Sequence, residues 1–258
     1  MKKRSFALQL YTVRTAAEND VAECLRRVRE IGFEYVQWSG MPGCGPEEAK
    51  RLLDEAGLTA MAGHCDVAPF EEDIHAALAF WNAIGASDLA PGGMMDDCRD
   101  SLEDWKRGAK RLDAVGAKLR AQGVRWSYHN HAFEFEKFPG DERAKLDILY
   151  AETSPGHLYA ELDLAWVAVG GADPAAYLRK YAGRCPVIHA KDVAAGYLDG
   201  GPVFTPLGRG SLDWQDVLLA AREAGVEWLI YEQDNAGDGD LWDAVRISYE
   251  FLKSAVQA

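Results

Sequence analysis

Residues 186–192 read Pro186-Val187-Ile188-His189-Ala190-Lys191-Asp192, a short apolar run that breaks off into a histidine, a lysine and an aspartate. A run this short, opened by proline and rich in β-branched residues, predicts a buried strand with polar chemistry at its carboxyl end. The phrase recurs. Val124–His129 continues into Tyr128-His129-Asn130-His131, Leu158–Leu162 into Glu161-Leu162-Asp163, Trp228–Tyr231 into Tyr231-Glu232-Gln233, and Thr59–Gly63 into His64. Four of the six histidines therefore stand where predicted strands end. In a barrel of parallel strands function collects at the carboxyl ends, so His129, Asp163, His189 and Glu232, from four successive strands, are placed to converge on one metal ion.

Outward from these segments the chain alternates short β-rich runs with longer amphipathic ones, and the count is eight pairs. Further strands are expected at Phe6–Leu10, Tyr35–Trp38 and Asp88–Ala90. Helices are expected at Asp20–Ile31, Pro46–Ala56, Glu72–Ile84, Leu102–Gln122, Arg143–Thr153, Pro174–Tyr181, Trp214–Ala224 and Leu241–Ala255. Gly32, Gly57, Gly85, Gly123 and Gly225 follow helices where a left-handed cap is wanted, Asn19, Ser101 and Asp213 suit N-caps, and Pro46 and Pro174 suit first turns. Eight βα units without a dividing linker imply α/β architecture of one kind: a closed (β/α)8 TIM barrel, residues 1–258 forming a single domain. A G-x-G-x-x-G turn after the first strand is absent, which weighs against an open dinucleotide-binding sheet.

A chain of 258 residues that is 48% hydrophobic buries a core of this size. Its formal net charge of -13 would repel a phosphate backbone, and no basic run with interleaved aromatics offsets it, so no nucleic-acid partner is expected. Five scattered cysteines without a C-x-x-C pair fit a reduced, cytoplasmic setting. Met1-Lys2-Lys3-Arg4 looks like the start of a signal peptide, but Gln9 and Arg14 break the apolar run and no small-x-small cleavage site follows, so this segment is taken with the first strand. No stretch is long enough to span a membrane.

Side chains alternate along a strand, so Glu161 and Asp163 share a face, as do His189 and Lys191, and His129 and His131. Mixed imidazole and carboxylate donors suit one divalent ion, with Mn²⁺ favoured over Co²⁺, Mg²⁺ or Zn²⁺. Glu161, a layer deeper than Asp163, reads as support for the site. Lys191 either holds an oxyanion or phosphate or neutralises Glu161. Arg209, between Gly208 and Gly210, looks like an anion clamp. Gln9, Tyr11, Trp38 and His64 end strands one to three and are candidate substrate contacts. His131 is either an acid/base or substrate contact or a support for the following loop, and Glu134 either swings in as a base or stays on the loop surface.

Several phrases together resemble the xylose isomerase-like superfamily of sugar phosphate isomerases and epimerases, which also holds inosose dehydratases and an endonuclease branch. They are Leu8-Gln9-Leu10-Tyr11-Thr12-Val13-Arg14, Tyr128-His129-Asn130-His131, Glu161-Leu162-Asp163 with Trp166 and Gly170, His189-Ala190-Lys191-Asp192, Gly208-Arg209-Gly210 with Asp213, and Tyr231-Glu232. The resemblance covers nearly the whole chain and implies a metal-dependent TIM barrel acting on a small sugar or keto-sugar, free or as its phosphate. It carries over Asp163, His189 and Glu232 as metal ligands, with Glu232 also a catalytic candidate. On the fifth strand many relatives have glutamate where this chain has His129, with His131 or Glu134 as substitutes. The expected function is isomerisation or epimerisation by proton transfer next to a carbonyl. The alternative is a lyase acting on a keto-inositol or 3-keto-glycoside. An endonuclease would need more histidines and a basic face, and a non-catalytic sugar-binding barrel would not need the ligand set. Barrels of this kind often pair through surface helices, which leaves room for a homo-oligomer.

Overall fold

The computed structural model describes residues 5–196, 201–235 and 239–257, so Met1–Arg4 and part of the long loop before Leu212 lie outside the described residues. Eight parallel strands close into a barrel: β1 Ser5–Gln9, β2 Tyr35–Trp38, β3 Thr59–His64, β4 Asp88–Ala90, β5 Arg125–His129, β6 Tyr159–Asp163, β7 Val187–Ala190 and β8 Trp228–Tyr231. Each strand lies beside its sequence neighbours, and β1 meets β8 with Ser5 opposite Trp228. Helices between the strands pack outside, with Trp105, Leu112 and Leu119 of the helix Leu102–Ala121 fully buried. No helix among the described residues is long and apolar enough to cross a membrane, and all five cysteines are free.

Three local expectations change. The cap of Val21–Ile31 is Asp20, whose extended backbone lets its carboxylate accept from Glu23 N; Asn19 turns back to Thr15 O. The helix expected over 72–84 is two, Ala68–Glu72 and Ile74–Ile84, because Asp73 is extended and caps the second through His75 N and Ala76 N. A short helix, Leu164–Val169, follows β6 directly, and an antiparallel ribbon pairs Asp192–Val193 with Phe204–Thr205 beyond β7.

The strand period explains where polar groups collect. Ala7, Ala62, Val187 and Ile230, with Tyr35 against them, form an apolar cluster inside the barrel. Two residues further along the same strands stand Gln9, His64, His189, Glu232 and Gln37, on the same face and nearer the carboxyl end. The barrel thus has a greasy floor and a polar upper storey. Gly63 belongs to this construction: a Cβ there would collide with Trp81, which packs against the β3 backbone.

Candidate metal centre and its cavity

The ends of β5, β6, β7 and the residue after β8 bring His129, Asp163, His189 and Glu232 together, fully or almost fully buried, with one ligand atom from each within 4.8 Å of the others. His129 Nε2 lies 3.5 Å from Asp163 Oδ2 and 3.9 Å from Glu232 Oε2, while His189 Nδ1 lies 2.9 Å from Glu232 Oε2 and 4.0 Å from Asp163 Oδ2. Two donors sharing one ion at bonds of about 2.1 Å are at most about 4.2 Å apart, so these separations suit a common cation. Both ring nitrogens of His129 and Oδ2 of Asp163 are buried without a hydrogen-bond partner. Orphaned buried polar atoms of this kind are costly unless a partner satisfies them, and a cation would satisfy the acceptors among them.

Neighbouring groups aim the donors. Asp163 Oδ1 caps the Leu164–Val169 helix through Trp166 N at 3.0 Å, which leaves Oδ2 to the cluster. His189 Nε2 is 2.8 Å from Gln37 Oε1 and 2.9 Å from Glu161 Oε1, so that nitrogen keeps its proton and Nδ1, facing Glu232 Oε2, is the one that could give up a proton to ligate a metal. Glu161 Oε1 also takes His64 Nε2 at 2.6 Å and the Gln37 amide at 3.1 Å. Asn130 Oδ1 accepts from Asp163 N at 3.1 Å and braces β5 against β6.

Protonation follows burial and charge. Burial, helped by the rings of His189 and His64, holds His129 well below its ordinary value, hence neutral and able to ligate. Burial pushes Glu161 up, but His64 and His189 outweigh it and keep the carboxylate ionised. Burial opposes charge on His189 too, yet the carboxylates of Glu232 and Glu161 raise it to about 10. The cluster therefore attracts positive charge, which a divalent ion would supply in place of that proton. Burial dominates at Asp163, whose pKa rises, whereas at Glu232 it is outweighed by Lys191 and His189 and the pKa falls.

Above the cluster opens a cavity of about 410 Å³ lined by Tyr11, His64, Gly92, His129, His131, Lys191, Glu232 and Asp234, with Ser39, Cys65 and Asp66 on its wall. Lys191 does not neutralise Glu161. Its ammonium is 2.8 Å from Asp234 Oδ1, 3.3 Å from Glu232 Oε2 and 3.4 Å from Asp163 Oδ2. His131 faces the cavity, and burial lowers it to about 3, so it stands as a neutral ring. Glu134 neither swings in nor stays solvated: it is fully buried, accepting from Tyr128 Oη and His131 N, both at 2.8 Å, and burial raises it to about 7. It positions the His131 loop.

Gln9 is buried below the cavity, donating to Gln37 Oε1 at 2.8 Å, and Trp38 packs against Phe80, so neither lines the opening. Arg209 is exposed and outside the lining; the glycine amides beside it bind Asp192 instead. Sequence reasoning passed over Gln37 and Asp234. Gln37 carried a signal, its place at a strand end on the inward face, but an amide there does not announce a role.

A family model described as xylose isomerase-like TIM barrel matches residues 25–255. Inosose dehydratase of Lacticaseibacillus casei is 27% identical over 148 residues, 51% of this chain and 48% of that protein, so the match spans about half the relative's length. A crystal structure of a sugar phosphate isomerase/epimerase from Parabacteroides distasonis superposes with a TM-score of 0.82 at 19% identity, covering 99% of this chain and 95% of that one. L-ribulose 3-epimerase superposes with a TM-score of 0.71 at 16% identity, covering 100% and 95%. With residues 25–255 matched and the barrel closed as that fold requires, the chain belongs to the xylose isomerase-like TIM barrel family.

Proposed function

We propose that this chain is a divalent-metal-dependent enzyme that removes and returns a proton next to the carbonyl of a sugar or keto-sugar, as an isomerase or epimerase. The observation that carries the reading is the convergence of His129, Asp163, His189 and Glu232 at the floor of an open cavity, with the ring nitrogens of His129 and Oδ2 of Asp163 buried and without a hydrogen-bond partner. A bound ion of the Mn²⁺ type supplies carbonyl polarisation, an effect worth several kcal/mol. Glu232, ionised and lining the cavity, takes the proton, a contribution of about 10²- to 10⁴-fold. The Lys191 ammonium beside it steadies the negative charge that develops on oxygen. Tyr11, His64 and the neutral His131 offer hydrogen bonds to substrate hydroxyls. The test is solvent-deuterium incorporation into ketoses by NMR with Mn²⁺-loaded protein: exchange that disappears in Glu232→Gln supports the reading, and undiminished exchange in that variant refutes it.

One observation favours elimination as a second reading. β5 brings imidazoles to the cavity and no carboxylate, since Glu134 is locked beneath the loop. A second carboxylate base opposite Glu232 is then missing from that strand, and an elimination needs one group only, which takes the C–H proton and returns it to the departing hydroxyl as water leaves. The name of the Lacticaseibacillus casei relative is that of a dehydratase. A conjugated enone absorbance appearing with a keto-inositol or 3-keto-glycoside would favour this reading, and deuterated isomers without enone would count against it.

A further inference from the structure

No cationic side chain of the cavity lining is free among the described residues, and the loop best built to grip an anion is filled from within. Lys191 is the only cationic side chain of the cavity lining among the described residues, and three carboxylates hold it: Asp234, Glu232 and Asp163. A divalent ion at the centre together with Lys191 balances those same three carboxylates. Nothing positive is left over. Two nearby arginines stay outside the lining: Arg14 is held by the carbonyls of Tyr11 and Asp234, and Arg99 by that of Met94 with its other arm facing Asp96.

TIM barrels that bind phosphate do so with backbone amides of the loops after strands seven and eight. After β7 this chain has such amides, and Asp192 takes them. Its Oδ2 accepts from Gly208 N and Gly210 N at 3.0 Å each and from Trp214 Nε1 at 2.8 Å, while Oδ1 accepts from Val193 N at 2.9 Å and Leu212 N at 3.3 Å. Gly210 is required here, because a Cβ would fall on the Asp192 carboxylate. After β8 the described residue that reaches the cavity is Asp234, a carboxylate. What the wall offers a ligand is hydroxyl-scale chemistry: Tyr11, Ser39, His64 and His131.

We infer that the site takes an uncharged polyhydroxy aldehyde or ketone and rejects its phosphate ester, a conclusion that rests on the proton-transfer reading and names its substrate class. The test uses Mn²⁺-loaded wild-type protein and solvent-deuterium exchange with matched pairs, D-fructose against D-fructose 6-phosphate and D-ribulose against D-ribulose 5-phosphate, with a keto-inositol added. At least one unphosphorylated compound is expected to exchange, with kcat/KM about 100-fold or more above that of a matched ester, the cost of setting a dianion among carboxylates. Asp234→Asn, which frees Lys191, is expected to shift that ratio toward the ester about fivefold or more. An ester that exchanges as fast as the free sugar, or a ratio that Asp234→Asn leaves unchanged, would overturn the inference while the proton-transfer reading stood. No exchange with any compound in protein that retains its metal would overturn both.

Discussion

His189 shows how a single residue acquires a role from its surroundings. The imidazole could present either nitrogen, and the choice is made by Gln37 and Glu161, which hold Nε2 at 2.8 and 2.9 Å and turn Nδ1 to the donors. Support of this kind typically accounts for about 10- to 100-fold in metal affinity. Gln37→Ala is therefore expected to weaken Mn²⁺ binding by about that factor while the barrel stays folded, a result that metal titration beside circular dichroism would show. Unchanged affinity would mean that the ring is held by packing alone. At this scale residue type and strand position marked His129, Asp163, His189 and Glu232 from the sequence, because donors at the ends of buried strands have few other uses. Gln37 and the burial of Glu134 stayed hidden, since both depend on contacts between segments: Gln37 meets Glu161, 124 positions away, and Glu134 is drawn under Tyr128.

Among the elements, the strands were readable because β-branched runs, glycine stops and polar ends repeat, and four of the eight expected strands begin on the residue where they are found, at Tyr35, Thr59, Asp88 and Trp228. What the pattern did not show is the structure after strands. The Leu164–Val169 helix is capped by Asp163, the residue whose other oxygen faces the donor cluster, and an apolar run after a strand end carries no separate helix signal. The loop after β7 is the larger case: Gly208-Arg209-Gly210 suggested an anion clamp, whereas the anion it holds is the chain's own Asp192. Asp192 is buried, and Asp192→Ala orphans five N–H donors, so a loss of about 2–4 kcal/mol is expected. Urea denaturation would reveal it, and a loss under about 0.5 kcal/mol would show that the loop is held by other contacts.

Over the whole molecule, the two ends of the barrel answer to different conditions. Metal that binds the folded chain and not the unfolded one stabilises it by about 2.7 kcal/mol at 100 times its Kd. Chelation is then expected to lower the melting temperature by about 5–10 °C, as scanning calorimetry would record. At the amino end, burial raises Asp88 from 3.8 to about 7, outweighing Arg125 at 3.0 Å. The folded state keeps that proton longer than the unfolded state does, so this group's stabilising contribution is complete below about pH 4 and is lost as pH rises toward about 7. Asp88→Asn is expected to be relatively more stable than wild type at pH 8 than at pH 5, measured by denaturation at both. A stability difference that does not change with pH would contradict this assignment.

The measurement that reaches the centre of this reading is metal content, taken by mass spectrometry on purified protein beside His129→Ala, Asp163→Asn and Glu232→Gln. One equivalent of a divalent ion in the wild type, lost from all three folded variants, is the predicted result. Wild type that takes up no divalent metal under any loading condition, or variants that retain it fully, would contradict a metal centre built from these four residues.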